Sequence, residues 1–188
     1  MNGQAMFDTL YHISEAPEIA RFDPRPAPPT SGQLGSMVWA IDRAHLHNYL
    51  LPRDCPRVTF YAKPASTAAD IERLMLGTSA RSVVAIESGW LPRVLSASLY
   101  CYDLPCDTFM LLDAGAGYHI SREPVTPRAV TLIDDLLRAL LAHDVELRVM
   151  PSLWKLHDAV ARSTLQFSII RMRNARPREA DSSYGPSA

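Results

Sequence analysis

Cysteine is scarce. The chain has three, Cys55, Cys101 and Cys106, an odd number with no tight pair spacing, which argues against a disulfide framework and against a zinc site. Excess charge is lacking too. Nineteen basic and 20 acidic side chains leave a net charge of −1, so no global field draws the protein to nucleic acid or to an anionic membrane. No apolar run approaches the length that spans a bilayer. The first eight residues carry no basic region followed by an apolar core, so no secretory signal is expected. Reduced thiols and a cytoplasmic location are the resulting expectations. The eight glycines build no glycine-rich turn between a strand and a helix, which removes the Walker loop and the dinucleotide-binding fingerprint.

What is present suits one globular domain. Hydrophobic residues make up 47% of 188 residues, enough for a sizeable core. The domain is expected over 1–172, and the Arg-, Pro- and Ser-rich stretch 173–188 as a flexible tail. Short apolar runs predict strands at 10–14, 37–41, 57–62, 82–87, 98–103, 109–112 and 118–121, and again from 127 to 132 and over 146–149. Apolar spacings of three and four predict helices at 43–51, 68–76, 133–142 and 152–163, with Asp42 and Ser66 or Thr67 as caps. The prolines between 24 and 29 exclude helix or central strand, so 23–36 reads as a surface loop. Strands in clusters with scattered short helices favour a mixed α+β domain over a doubly wound sheet.

One strand carries a residue with chemistry. In Leu10-Tyr11-His12-Ile13-Ser14 the histidine is either packed in the core or aimed into a cleft. Two further stretches bear on the choice. One is Val38-Trp39-Ala40-Ile41-Asp42, with Ala44 and Tyr49 behind it. The other is Gly117-Tyr118-His119-Ile120-Ser121-Arg122-Glu123-Pro124-Val125. Taken together, roughly over residues 10–132, these resemble the ADP-ribosyltransferase fold. Ser121 to Val125 is similar to a late-strand segment of the small bacterial transferases that modify rifamycins. The chain as a whole also looks like an uncharacterised bacterial family with the same ordering of segments.

The resemblance implies mostly antiparallel sheets around a cleft, a C-terminal helical segment, and NAD as substrate. It implies that His12, with Ser14 beside it, binds a ribose, and that Trp39 and Tyr49 hold nicotinamide. Arg25, or Arg53, would meet the pyrophosphate, and Glu123 would be the catalytic carboxylate, with Asp113 as its rival. The chemistry asks for such a set. Cleaving nicotinamide from NAD passes through an oxocarbenium-like ribose, which a nearby carboxylate stabilises. An aromatic face suits the cationic nicotinamide ring, and an arginine fork suits phosphate oxygens. The acceptor is open between small molecule, protein and nucleic acid. The alternatives are a binding module of the same fold without turnover, and an activity like RNA 2′-phosphotransfer.

Other features read as structural. Tyr49 on an amphipathic helix and Trp39 in a strand both suit a core. His45 and His47, two apart on a helix, are not expected to share a face, which argues against a metal pair. Cys101 and Cys106 read as inert thiols.

Overall fold

Runs of β-branched and aromatic residues form eleven strands, and the computed structural model describes residues 9–27 and 32–178. The expected loose start over 1–8, part of the proline loop (28–31) and the last residues (179–188) lie outside the described residues. The strands are β1 (Leu10–Ser14), β2 (Arg25–Pro26), β3 (Ser36–Ile41), β4 (Arg57–Tyr61), β5 (Ser82–Glu87), β6 (Leu99–Leu104), β7 (Phe109–Asp113), β8 (Tyr118–Ser121), β9 (Ala129–Ile133), β10 (Val145–Met150) and β11 (Gln166–Ile170). Four α-helices, α1 (Ala68–Met75), α2 (Leu91–Ser96), α3 (Leu136–Leu141) and α4 (Trp154–Ala161), and a 3-10 helix at Arg43–Tyr49 join them.

Two sheets form. The larger runs β7-β8-β3-β1-β6-β9 with β2 beside β3, and the smaller runs β10-β5-β4-β11. All the pairs are antiparallel except β5 with β10. This is the expected mixed, mostly antiparallel α+β architecture. Ile41, Leu50, Leu51, Val84, Ile86, Leu99 and Leu140 are buried in the cluster that both sheets share. Leu10, Phe22, Val38, Tyr102 and Val125 form a second cluster on the opposite face of the large sheet. A third, with Phe60, Val83, Leu74 and Val160, lies where α1 and α4 cover the small sheet.

Four expectations need correction. Residues 43–49 form a 3-10 helix rather than an α-helix. Asp42 accepts from the His45 amide three residues on, and Pro52 has no amide to offer the Asn48 carbonyl. That carbonyl receives the Arg57 side chain instead, at 3.0 Å. The helix expected from 133 begins at Leu136, because Ile133 still pairs with Leu99 in the sheet and Asp135 caps the next turn. Arg25–Pro26 is an edge strand inside the supposed loop. Among the described residues, the C-terminal part is also not a purely helical segment: α4 is followed by β11, which pairs with β4.

The domain reaches further than residue 172. Met172–Asn174 is a 3-10 turn, and the Arg176 amide donates to both carboxylate oxygens of buried Glu87, at 3.2 and 3.0 Å. Trp154 donates to the Arg176 carbonyl at 2.6 Å, and Arg178 forms a bidentate pair with Asp158. Residues 173–178 are therefore docked on the body of the protein.

Gly117 is the tightest backbone position. It has φ +70°, and a Cβ there would lie 2.3 Å from His45 Nδ1 and 2.9 Å from the Asp42 carboxyl carbon. Gly117→Ala should therefore destabilise the fold by about 2 kcal/mol or more. Gly89→Ala, where a Cβ meets nothing within 4 Å, should change stability by no more than about 1 kcal/mol. Urea unfolding of both variants checks this, and equal midpoints would refute the role given to Gly117.

Candidate functional site

The central strands of the large sheet do not stay together. β1 pairs with β6 at five positions, from Leu10↔Leu104 to Ser14↔Tyr100, but with β3 only at Tyr11↔Ile41. Past that pair the strands part, and β3 takes β2 as a neighbour at its other end, through Arg25↔Met37. His12 is the first residue of β1 inside the gap. Its Nδ1 donates to the Trp39 carbonyl at 2.9 Å, replacing the backbone bond that a continued ladder would supply. A carbonyl can only accept, so this bond selects the tautomer with Nδ1 protonated. In the neutral ring, Nε2 then carries a lone pair. The Phe22 ring lies 4.7 Å from the imidazole. Burial holds the His12 pKa below its ordinary value against the pull of the Trp39 carbonyl, and the charges of Arg53 and Arg25 lower it further. Three of the predicted binding residues, His12, Arg25 and Arg53, thus come close enough to interact.

Side-chain alternation separates others. His12 shares a face with Leu10, while Tyr11 and Ile13 turn to the core between the sheets. Trp39 alternates with Val38 and Ala40, so its indole lies on the Tyr11 side. There it meets the Tyr118 ring edge-on at 5.8 Å, and Tyr49 donates to the Tyr118 hydroxyl at 2.6 Å. The predicted nicotinamide holders therefore lie across the sheet from His12. Burial raises the Tyr49 pKa well above its usual value, which marks it as a core phenol. The aromatic wall on the His12 side is Phe22, which sequence reasoning took only as an anchor. Ser14 accepts from the Ala16 amide at 3.1 Å and closes the turn after β1.

The two carboxylates stand at opposite ends of β8. Asp113 faces Tyr118 across β7 and β8, and its Oδ1 accepts from the amides of Gly115 and Ala116 at 2.8 and 3.1 Å. It is engaged in closing that turn. Glu123 is exposed, two residues past the other end of β8, and its backbone is held by Ser121 Oγ. The segment continues to Val125, which bridges to Phe22 with hydrogen bonds in both directions. Glu123 thus lies on the segment that crosses to Phe22, the neighbour of His12.

A second polar constellation went unread in the sequence. The Asp42 carboxylate caps the 3-10 helix and also accepts from His45 Nδ1 at 2.7 Å. His45 Nε2 lies 3.2 Å from the Tyr61 hydroxyl, which also reaches the Gly115 carbonyl at 3.2 Å. The relay pins the β7–β8 turn to β4. Its signal was the aspartate–histidine spacing of three at a helix start, read only as a cap. Beside it, His47 is 4% exposed and its Nε2 has no partner. Contrary to expectation, His45 and His47 border one small cavity, with Tyr61, Arg81 and Ser82. The buried thiols of Cys55 and Cys101 are both pushed up to about 12 by desolvation, as inert groups are. Among the described residues, no group of three His, Cys, Asp or Glu could hold a metal, and no helix is long and apolar enough to cross a membrane.

Fold and site define an α+β protein of two mostly antiparallel sheets, with a histidine and two arginines at a parting of its central strands. The chain belongs to the family described as Family of unknown function (DUF6886), whose model matches residues 11–175. No curated protein and no solved structure matches it.

Burial of His47 has a measurable consequence. Desolvation and the nearby charges of His143, His45 and Arg81 lower its pKa to about 4. Between the unfolded value of 6.5 and about 4 the folded state binds fewer protons, so stability falls as pH is lowered through that window. The loss should approach about 3 kcal/mol. Urea midpoints measured from pH 7 to pH 4 should show it, and His47→Gln should flatten the profile. An unchanged slope in the variant would assign the loss to other groups.

Proposed function

We propose that the chain binds NAD at the gap between β1 and β3 and cleaves it at the nicotinamide ribose, by ADP-ribosyl transfer to an acceptor or by glycohydrolysis. The reading is carried by the state of His12. Its Nδ1 is held by the Trp39 carbonyl, which leaves Nε2 to accept from a ribose hydroxyl. Arg25 and Arg53, whose charges reach that ring, suit the pyrophosphate. Phe22, at 4.7 Å from His12, supplies an aromatic wall, the part first given to Trp39 and Tyr49. Glu123 is the catalytic carboxylate in this reading, because Asp113 already serves two backbone amides.

A binding module of the same fold is the second reading. The exposure of Glu123 favours it, since a carboxylate in open water stabilises a developing cation less than one in a dry site.

Nicotinamide release from NAD by the purified protein decides between them. In the catalytic reading Glu123→Gln lowers turnover about a hundredfold or more while NAD affinity holds, because the amide keeps the shape and loses the charge. His12→Ala weakens NAD binding instead. Asp113→Asn keeps turnover; its loss, with Glu123→Gln still active, would move the catalytic role to Asp113. A thermal shift with NAD intact after long incubation would support the binding module. No shift at millimolar NAD would overturn both.

A further inference from the structure

Between the 3-10 helix and the small sheet lies a pocket that the reading above leaves unused. It has a volume of about 400 Å3 and is lined by Arg43, Ala44, His47, Arg81, Ser82 and His143. Three separate segments supply it: the 3-10 helix, the start of β5, and the turn before β10. The lining holds two guanidinium groups, two imidazoles and a hydroxyl, and no carboxylate. The nearest acidic groups have other partners: Asp42 is bound to His45, and Asp144 accepts from the Arg81 backbone amide at 3.3 Å. The His47 and His143 rings lie 6.4 Å apart. His47 Nε2 is buried without a partner, although a buried polar atom is normally satisfied. Arg43 is exposed and, among the described residues, donates a hydrogen bond to the Tyr11 hydroxyl alone, at 3.3 Å. Arg81 is exposed as well.

We infer that this pocket is an anion site for the phosphate group of a small phosphorylated ligand, held by Arg43 and Arg81 at its mouth and by His47, His143 and Ser82 at its wall. A phosphate dianion matches this set because its oxygens take arginine forks and a hydroxyl at once, and its charge favours the protonated, N–H-donating form of both imidazoles. Protonation of His47 beside the anion would also turn its buried Nε2, a lone pair in the neutral ring whose other nitrogen bonds the Ala44 carbonyl, into a donor with a partner. Burial lowers the pKa of both His47 and His143, and the charges of Arg81 and Arg43 respectively lower them further, so an anion here would relieve part of that positive field. The Asp42–His45–Tyr61 relay holds the inner wall in place. None of this depends on NAD binding at His12.

Histidine ring resonances test the proposal. The full chain is titrated with inorganic phosphate and, separately, with AMP, with acetate as the control anion. Saturable shifts of His47 and His143 in the millimolar range or below, with His12 unmoved, are expected for phosphate. Arg81→Gln and Arg43→Gln, both at exposed positions, should each weaken that binding about tenfold, with unfolding midpoints near wild type. Tighter binding of AMP would identify an organic phosphate as the source, and equal binding a free phosphate; both support the site. Absence of saturable shifts, equal response to acetate, or unchanged affinity in both variants would overturn it. Shifts confined to His12 would overturn it too, because they would place the anion at the NAD gap.

Discussion

The Asp42 carboxylate is the junction on which the two sheets depend. It follows β3 directly, caps the 3-10 helix, and holds the His45 ring. Through His45 it reaches Tyr61 on β4 and the carbonyl of Gly115 in the β7–β8 turn. The Asp42 amide also donates to the Gly117 carbonyl at 3.1 Å. One buried residue thus joins the end of a central strand, the next helix, the far hairpin and the second sheet. A buried carboxylate is costly unless its oxygens are satisfied. Its hydrogen bond to His45 lowers its pKa despite desolvation, so the charge stabilises this arrangement. Gly117 is required because no side chain fits between this pair and the turn.

Arg57 and Glu87 play matching parts deeper in the protein. Arg57 is buried with no carboxylate partner among the described residues, and its guanidinium bonds the carbonyls of Asn48, Pro52 and Cys55. Those three oxygens come from a stretch whose proline interrupts regular bonding, so one cation does the work of several missing amides. Glu87 does the reverse for donors, accepting from the amides of Leu153 and Arg176. Each ion satisfies irregular backbone that a sheet or helix cannot, and the docking of residues 173–178 follows from the second.

The large sheet presents different chemistry on its two faces. On one, His12 occupies the parting of β1 and β3 beside Phe22, with two arginines in range. On the other, Trp39, Tyr118 and Tyr49 pack as core, and Tyr11 meets Arg43 of the histidine–arginine pocket. A single strand serves both, because successive side chains alternate: Tyr11 accepts from Arg43 on one side while His12 bonds Trp39 on the other.

Most of the element order was legible in the sequence. Apolar runs marked nearly every strand, and caps at Asp42 and at Ser66 or Thr67 were visible because their physics is local; the structure uses Thr67. The α+β class followed from the same short-range patterns. The boundaries at Ile133 and at residues 173–178 were not legible, since the first depends on Leu99 across the sheet and the second on Glu87, nearly ninety residues away. Of the candidate site, the sequence singled out His12, Arg25 and Arg53. It could not say that Trp39 and Tyr49 face away from the histidine, because alternation gives relative parity within one strand and not between strands. Only the tertiary structure decided that β1 and β3 part after a single pair, that Asp113 is consumed by its own turn, and that Arg43, Arg81, His47 and His143 converge. Those outcomes are set by strand register and by the approach of distant segments, which no local pattern of residues encodes.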